Sequence, residues 1–261
     1  MTNGEIIENR RLKGDYFLVR FFAPEISRKA RAGQFVHVRI NRHGDRILRR
    51  PFSICGYDPQ AGTLTVVYKV VGAGTSELAE TLPGRVCDVM GPLGKGYPMP
   101  SVDETPILVA GGYGSAAILP LAERSAEKGV LLLGARSSAD IILTEEYENA
   151  GYEVRLATQD GSLGRRGLVT ELLDGALADA KKTPVLYACG PTPMLMALGK
   201  IAVEKNVKCY LSLDQHMCCG IGACFACVVK VKDPSSPDGW RYSRSCKEGP
   251  VYTADEVYYE A

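Results

Sequence analysis

Polar and apolar positions alternate one by one through Gln34-Phe-Val-His-Val-Arg-Ile and again through Thr63-Leu-Thr-Val-Val-Tyr-Lys-Val. That is the two-residue period of strands burying one face. Residues 16–22, 34–40, 50–54, 63–71 and 85–90 read as strands separated by turns, a spacing that predicts an antiparallel barrel. One short helix interrupts them at Thr75-Ser-Glu-Leu-Ala-Glu-Thr-Leu, with Thr75 as a hydroxyl N-cap and an acid in the first turn. From Thr105 the grammar changes. Pro106-Ile-Leu-Val-Ala, Val130-Leu-Leu-Leu-Gly, Glu153-Val-Arg-Leu-Ala and Val185-Leu-Tyr-Ala-Cys are continuous apolar runs. Helical stretches are expected near 116–128, 168–179 and 193–205. Apolar strands alternating with helices predict a parallel sheet covered on both faces.

Composition adds mainly exclusions. Lys plus Arg number 31 against 30 Asp plus Glu, so no global field favours nucleic acid or anionic lipid. The first residues lack the apolar core of a secretory signal, and no run of about 18 apolar residues could span a membrane. Nine cysteines in a chain without such a signal argue for reduced thiols and a cytoplasmic location rather than a disulfide framework. Cys55, Cys87 and Cys209 lie in strand-like surroundings and read as small core residues.

Four other cysteines carry chemistry. Cys219-Gly-Ile-Gly-Ala-Cys224-Phe-Ala-Cys227, followed by Cys246, is C-x4-C-x2-C…C, the spacing of a plant-type [2Fe–2S] cluster. Gly220 and Gly222 permit the left-handed or closely approaching backbone such a loop needs. A structural zinc site is the competing reading, but those sites use two C-x2–4-C pairs or Cys/His mixtures. Cys218 reads as a spare thiol, with an alternative-ligand role left open. His37 reads as a sheet residue, His43 belongs to a polar turn and His216 precedes the cluster loop; four cysteines already complete the ligand set.

Three weaker motifs lie upstream. Arg49-Arg50-Pro51-Phe52-Ser53 places a cation and a hydroxyl at a strand start, where a solvated charge is the plain alternative. Tyr68-Lys-Val-Val-Gly72-Ala-Gly74-Thr75 is a strand, a glycine turn and a helix start, suited to pyrophosphate or simply to turning the chain. Gly111-Gly-Tyr-Gly114 and Thr158-Gln-Asp160-Gly161 sit at the carboxyl ends of predicted strands, where open α/β sheets bind ligands.

Taken together with Cys189-Gly190-Pro191, these segments resemble the ferredoxin–NADP reductase superfamily. The resemblance implies an FAD-binding antiparallel β-barrel over 1–100, an NAD-binding α/β domain over 101–212 and a [2Fe–2S] module over 213–261. It implies that Arg50 holds the FAD phosphates while Pro51, Phe52 and Ser53 line the isoalloxazine. Val67, Tyr68 and Lys69 would run beside the flavin, and Gly74 with Thr75 would bind the pyrophosphate. Gly111, Gly112, Gly114, Asp160, Gly190 and Pro191 would contact the nucleotide. Cys189 would lie near the nicotinamide and, with Ser53, is a candidate catalytic residue; a buried structural cysteine is its alternative reading. Arg136 and Ser137 suit a 2′-phosphate whereas Asp140 suits free ribose hydroxyls, and NAD is favoured mainly by the subfamily resemblance.

Arg244-Ser-Cys246-Lys-Glu-Gly249-Pro-Val-Tyr and the cluster loop closely resemble the electron-transfer subunits of dihydroorotate dehydrogenase B. That resemblance implies an FMN-containing catalytic partner, a two-plus-two heterotetramer, and passage of electrons through cluster and FAD to NAD+ in pyrimidine biosynthesis. The runner-up is a small subunit of an NADP-dependent ferredoxin reductase or sulfide dehydrogenase complex, relatives that tend to replace one cluster cysteine with aspartate. A redox-sensing module without turnover is the third possibility, opposed by the intact flavin and nucleotide motifs.

Overall fold

A computed structural model describes residues 2–40 and 47–259; His43 and its turn lie outside the described residues. Six strands close an antiparallel barrel in the order β1-β2-β5-β4-β3-β6. They are β1 Thr2–Lys13, β2 Tyr16–Phe22, β3 Phe35–Arg39, β4 Arg50–Asp58, β5 Thr63–Lys69 and β6 Val86–Leu93, with α1 at Pro24–Ser27 and α2 at Ala73–Ala79. Val36, Val38, Ile54, Leu64, Val66 and Val89 fill the barrel. The alternation that predicted β3 therefore sends Val36 and Val38 inward and leaves Phe35 and His37 on the outside. β1 is the barrel strand the sequence pattern missed. Its charged run has little strand propensity, yet pairing with both β2 and β6 closes the barrel and removes two open edges.

The helix expected to begin at Thr75 begins two residues earlier, with Gly72 at the N-cap and no acid in its first turn. Thr75 sits inside it and reaches back: its Oγ1 accepts the N–H of Val71 at 2.9 Å and of Gly72 at 3.2 Å. Those donors leave the strand unpaired, and the inward-reaching hydroxyl satisfies them.

The second unit is a seven-stranded sheet ordered β10-β9-β8-β7-β11-β12-β15. Its strands are β7 Glu104–Gly111, β8 Val130–Ala135, β9 Glu153–Thr158, β10 Arg165–Arg166, β11 Thr183–Cys189, β12 Lys208–Ser212 and, from the C-terminal segment, β15 Val251–Thr253. All pairings are parallel except β12 with β15. Helices α3 Gly114–Arg124, α4 Thr144–Asn149, α5 Leu173–Ala178 and α6 Thr192–Glu204 connect them. The stretch expected as one helix over 168–179 splits into a 3-10 turn, Val169–Leu172, and α5. The turn packs Val169 into space left by Gly134, where a β-carbon would stand 2.6 Å from Val169 Cβ. The helix expected over 116–128 stops at Arg124 because Ser125 turns extended and its hydroxyl donates to Glu127 O at 2.6 Å.

The polar 233–239 segment is the turn of a hairpin, β13 Val228–Lys232 with β14 Trp240–Arg244. Barrel and sheet share one apolar core: Leu18, Cys55 and Val67 pack with Leu108, Ala117 and Leu121. Arg124 of α3 lies over the Tyr57 ring at 3.6 Å, and the Tyr97 hydroxyl donates to Ala188 O at 2.8 Å.

Candidate functional site

The cluster loop runs between β12 and β13. Gly220 and Gly222 take the left-handed backbone, at φ 70° and 84°, and so does Phe225 at 56°. These turns gather the four cysteines into two pairs. Burial pushes the Cys219 thiol up, but the N–H groups of Ile221, Cys224 and Ala223, with the Cys224 side chain, outweigh it and bring Cys219 down to about 6. In the other pair the Cys246 N–H donates to Cys227 Sγ at 3.4 Å, while burial and the neighbouring Cys227 push the Cys246 thiol up to about 12. Neither pair includes Cys218. Among the described residues no three His, Cys, Asp or Glu side chains converge on one ion. A cluster of two irons asks instead for two thiolates on each iron, a requirement these two pairs fit.

Cys224 is exposed, as are Ile221 and Phe225, whereas Cys227 and Cys246 are buried. Arg244 braces the loop from below. It pairs with Glu248, donates to Gly222 O at 2.8 Å and lies over the Phe225 ring. Phe35 and Leu93 on the outer wall of the barrel pack against Met217, Cys227 and Cys246. Phe35 is also the register partner of Ser53. The loop thus rests on the strand adjacent to the Arg50–Ser53 motif.

In that motif Arg50 and the glycine turn converge: a β-carbon on Gly74 would stand 3.2 Å from Arg50 Nε. Arg50 also donates to Leu48 O at 2.6 Å, and the side chains of Pro51, Phe52 and Ser53 are not fully buried. The Arg50 guanidinium beside an open glycine turn fits a diphosphate. The Thr75 hydroxyl is already engaged by the turn, so the backbone there is what remains available. Tyr68 is buried against Phe17 and Phe52 with its hydroxyl on Asn9, and Val67 lies in the shared core; Lys69 faces the cavity described next.

A cavity of about 510 Å³ lies at the carboxyl ends of the sheet strands, walled by Gly111–Tyr113, Gly134–Arg136, Gln159, Pro191 and Met194 and bounded by Tyr16, Lys69 and Asp140. The glycines at this end of the sheet divide into two kinds. A β-carbon on Gly114 would stand 2.2 Å from Cys189 O, and one on Gly190 would stand 2.8 Å from Gly111 N. These glycines let the β7 and β11 ends dovetail. Gly112, at φ +54° with open space around it, faces the void. Cys189 is buried beneath this joint, and burial, with the charge of Asp214, holds its thiol well above the usual range. Asp160 does not line the cavity, and its carboxylate accepts the Ser162 N–H at 2.9 Å and hydroxyl at 2.6 Å. Asp140 accepts the Tyr16 hydroxyl at 2.7 Å and Lys69 Nζ at 2.8 Å, and these two bonds hold its carboxyl below the usual range. Lys13 donates to Ser138 O and Ile141 O alongside. Three barrel side chains therefore grip one turn of the sheet unit.

The sequence family described as the iron-sulfur cluster binding domain of dihydroorotate dehydrogenase B matches residues 214–258. A Geobacillus kaustophilus (strain HTA426) protein named dihydroorotate dehydrogenase B (NAD(+)), electron transfer subunit, is 42% identical over 230 residues, 86% of this chain and 86% of that protein. The chain belongs to this family of electron transfer subunits. A dihydroorotate dehydrogenase B electron transfer subunit from Fusobacterium nucleatum subsp. nucleatum aligns over 97% of this chain and 96% of its own length at 36% identity. Among solved structures, that of the NADH-dependent reduced ferredoxin-NADP oxidoreductase superposes with a TM-score of 0.83 and 30% identity, covering 98% of this chain and 89% of that one. A ferredoxin reductase of carbazole 1,9a-dioxygenase, at TM-score 0.66 and 21% identity over 79% of this chain and 66% of its own, shares the fold. For a dihydroorotate dehydrogenase B electron transfer subunit, sequence reading gave Phe35 and Tyr97 no role and His37 only that of a sheet residue. Only the outward half of the β3 alternation hinted at Phe35 and His37.

Proposed function

We propose that the chain is the reductase half of a dihydroorotate dehydrogenase, taking electrons from an FMN-containing catalytic subunit and delivering them to NAD+. When bound, a [2Fe–2S] cluster supplies single-electron acceptance and FAD converts it to hydride transfer. Cys219 and Cys224 would hold one iron of such a cluster, and Cys227 and Cys246 the other. Arg50, with the backbone at Gly74 and Thr75, holds the FAD diphosphate, while Pro51, Phe52, Ser53, Val67, Tyr68 and Lys69 form the wall behind the flavin. Ser53 Oγ would offer a hydrogen bond to the flavin. Gly111, Gly112, Gly114, Gly190 and Pro191 shape the NAD(H) cavity, to which Asp160 contributes through its turn. Cys189 acts there as a neutral, packed thiol that excludes water, since burial disfavours its thiolate.

The observation that carries the reading is Phe35: it packs against Cys227 and Cys246 and is paired in register with Ser53, so one residue joins the cluster loop to the flavin strand. The division into 1–100, 101–212 and 213–261 follows these three ligands, and the assembly is a cytoplasmic heterotetramer of two catalytic and two electron transfer subunits.

Purifying the native complex tests this. An FMN subunit should copurify, the mass should fit two of each chain, and dihydroorotate should reduce NAD+. Visible absorption should combine flavin and cluster bands, bleached by NADH. A colourless zinc protein would overturn the reading. Faster bleaching by NADPH than by NADH, with no FMN subunit, would transfer the chain to the NADP-dependent ferredoxin reductases.

A further inference from the structure

His37 is fully buried, and among the described residues neither Nδ1 nor Nε2 has a hydrogen-bond partner. A buried imidazole with both nitrogens unmet is costly, because each has lost water and gained nothing. The ring is not turned into the barrel, whose interior is filled by Val36 and Val38 from the same strand. The face of the ring lies against the cluster loop at Gly220. A β-carbon on Gly220 would stand 2.9 Å from Cε1 and 3.0 Å from both Nδ1 and Nε2, near-equal distances that put it over the ring, so the face of the imidazole occupies the space a side chain at Gly220 would take and its N–H lies in the plane alongside the loop. Gly220 follows Cys219 directly. Its left-handed backbone, at φ +70°, and its missing side chain together let the ring pack flat against the loop. Burial, assisted by the Arg49 guanidinium, keeps the ring neutral, which leaves one N–H to donate and one nitrogen to accept.

We infer that His37 donates its N–H to a sulfur of the cluster and is a positioning residue that sets the cluster's reduction potential. The inference rests on the [2Fe–2S] reading above. Sulfur atoms carrying negative charge are the acceptors this loop would bring to a donor at that place. A hydrogen bond to cluster sulfur stabilises the more negative, reduced state, so the donor raises the potential. β3 is hydrogen-bonded to β4, and His37 is the register partner of Pro51. The donor therefore stands between cluster and flavin motif, where the potential of one relative to the other decides the direction of transfer.

The test uses the full chain loaded with FAD and cluster, comparing wild type, His37→Leu and His37→Gln. Pulsed EPR of the reduced cluster in protein carrying 15N-labelled histidine should show a nitrogen hyperfine coupling in wild type. His37→Leu should lose it and lower the cluster midpoint potential. His37→Gln, which keeps an N–H donor, should recover part of that shift, and NADH should still bleach FAD in both variants. An uncoupled histidine nitrogen in wild type overturns the inference even where His37→Leu fails to fold. So does an unchanged midpoint in His37→Leu. A wild-type chain holding no cluster overturns the underlying reading itself, and the inference with it.

Discussion

Cys224 and Cys246 carry the same thiol into opposite surroundings, one exposed at the tip of the loop and one 2% exposed beneath it. Cys224→Ser should leave NADH bleaching of FAD near the wild-type rate, because the residues proposed to hold flavin and nucleotide lie on other strands. It should cut transfer to the catalytic subunit by more than the roughly 10–100-fold typical of losing an outer partner of a metal ligand. Stopped-flow flavin absorption and dihydroorotate:NAD+ turnover measure the two separately, and parallel loss of both would contradict this separation. Gly220→Ala meets two obstacles, the φ of +70° and a ring 2.9 Å from its new β-carbon. It should cost about 1–3 kcal/mol, read as a lower denaturant midpoint of the loaded chain. The cysteine spacing and the role of Gly220 were legible in the sequence because both are local. His37 was legible only as a strand residue. What covers the outer face of β3 is decided by a loop some 180 positions away, and no periodicity encodes that.

At the scale of elements, the strands with clear alternation or continuous apolar runs were readable, and those held by their neighbours were not. β1 is mostly charged and polar and becomes a strand because β2 and β6 need closing; β15 has only three residues and pairs with the edge of β12. The Asp140 turn is another case. The sequence suggested ribose recognition, and the structure adds a clamp: Lys13, Tyr16 and Lys69 of the barrel all bond to residues 138–141. Because Lys69 and Tyr16 depress the Asp140 carboxyl, the clamp contributes stability above the unfolded carboxylate value of about 3.9 and loses it as pH falls through the lower folded value. Asp140→Asn should melt below wild type at pH 7, and the difference should close on acidification below about pH 4. Thermal melts across that range check it; a difference that persists undiminished at the acid end would assign the loss to packing instead of charge.

At the scale of the molecule, the C-terminal segment is less separable than three ligands suggest. β15 extends the nucleotide sheet, the Leu213 N–H donates to Pro250 O, and the Ala254 N–H donates to Cys209 O, each at 2.8 Å. Val229, Val231 and Val257 join Leu186, Leu198 and Leu211 in a single apolar cluster, and burying a side chain of that kind is worth about 1.5–3 kcal/mol. Removing residues 214–261 would strip those contacts, uncover the β12 edge and leave Phe35 and His37 facing solvent. A modular view expects the shortened chain to persist as a flavin reductase. The shared core and shared sheet argue otherwise: the truncated chain should aggregate or melt well below the full one and lose FAD retention. Light scattering, thermal melting and the flavin-to-protein absorbance ratio measure this. A truncated chain that keeps its melting temperature and its NADH-bleached flavin would show that the cluster segment is an appendage, and that the contacts binding it to β12 contribute little.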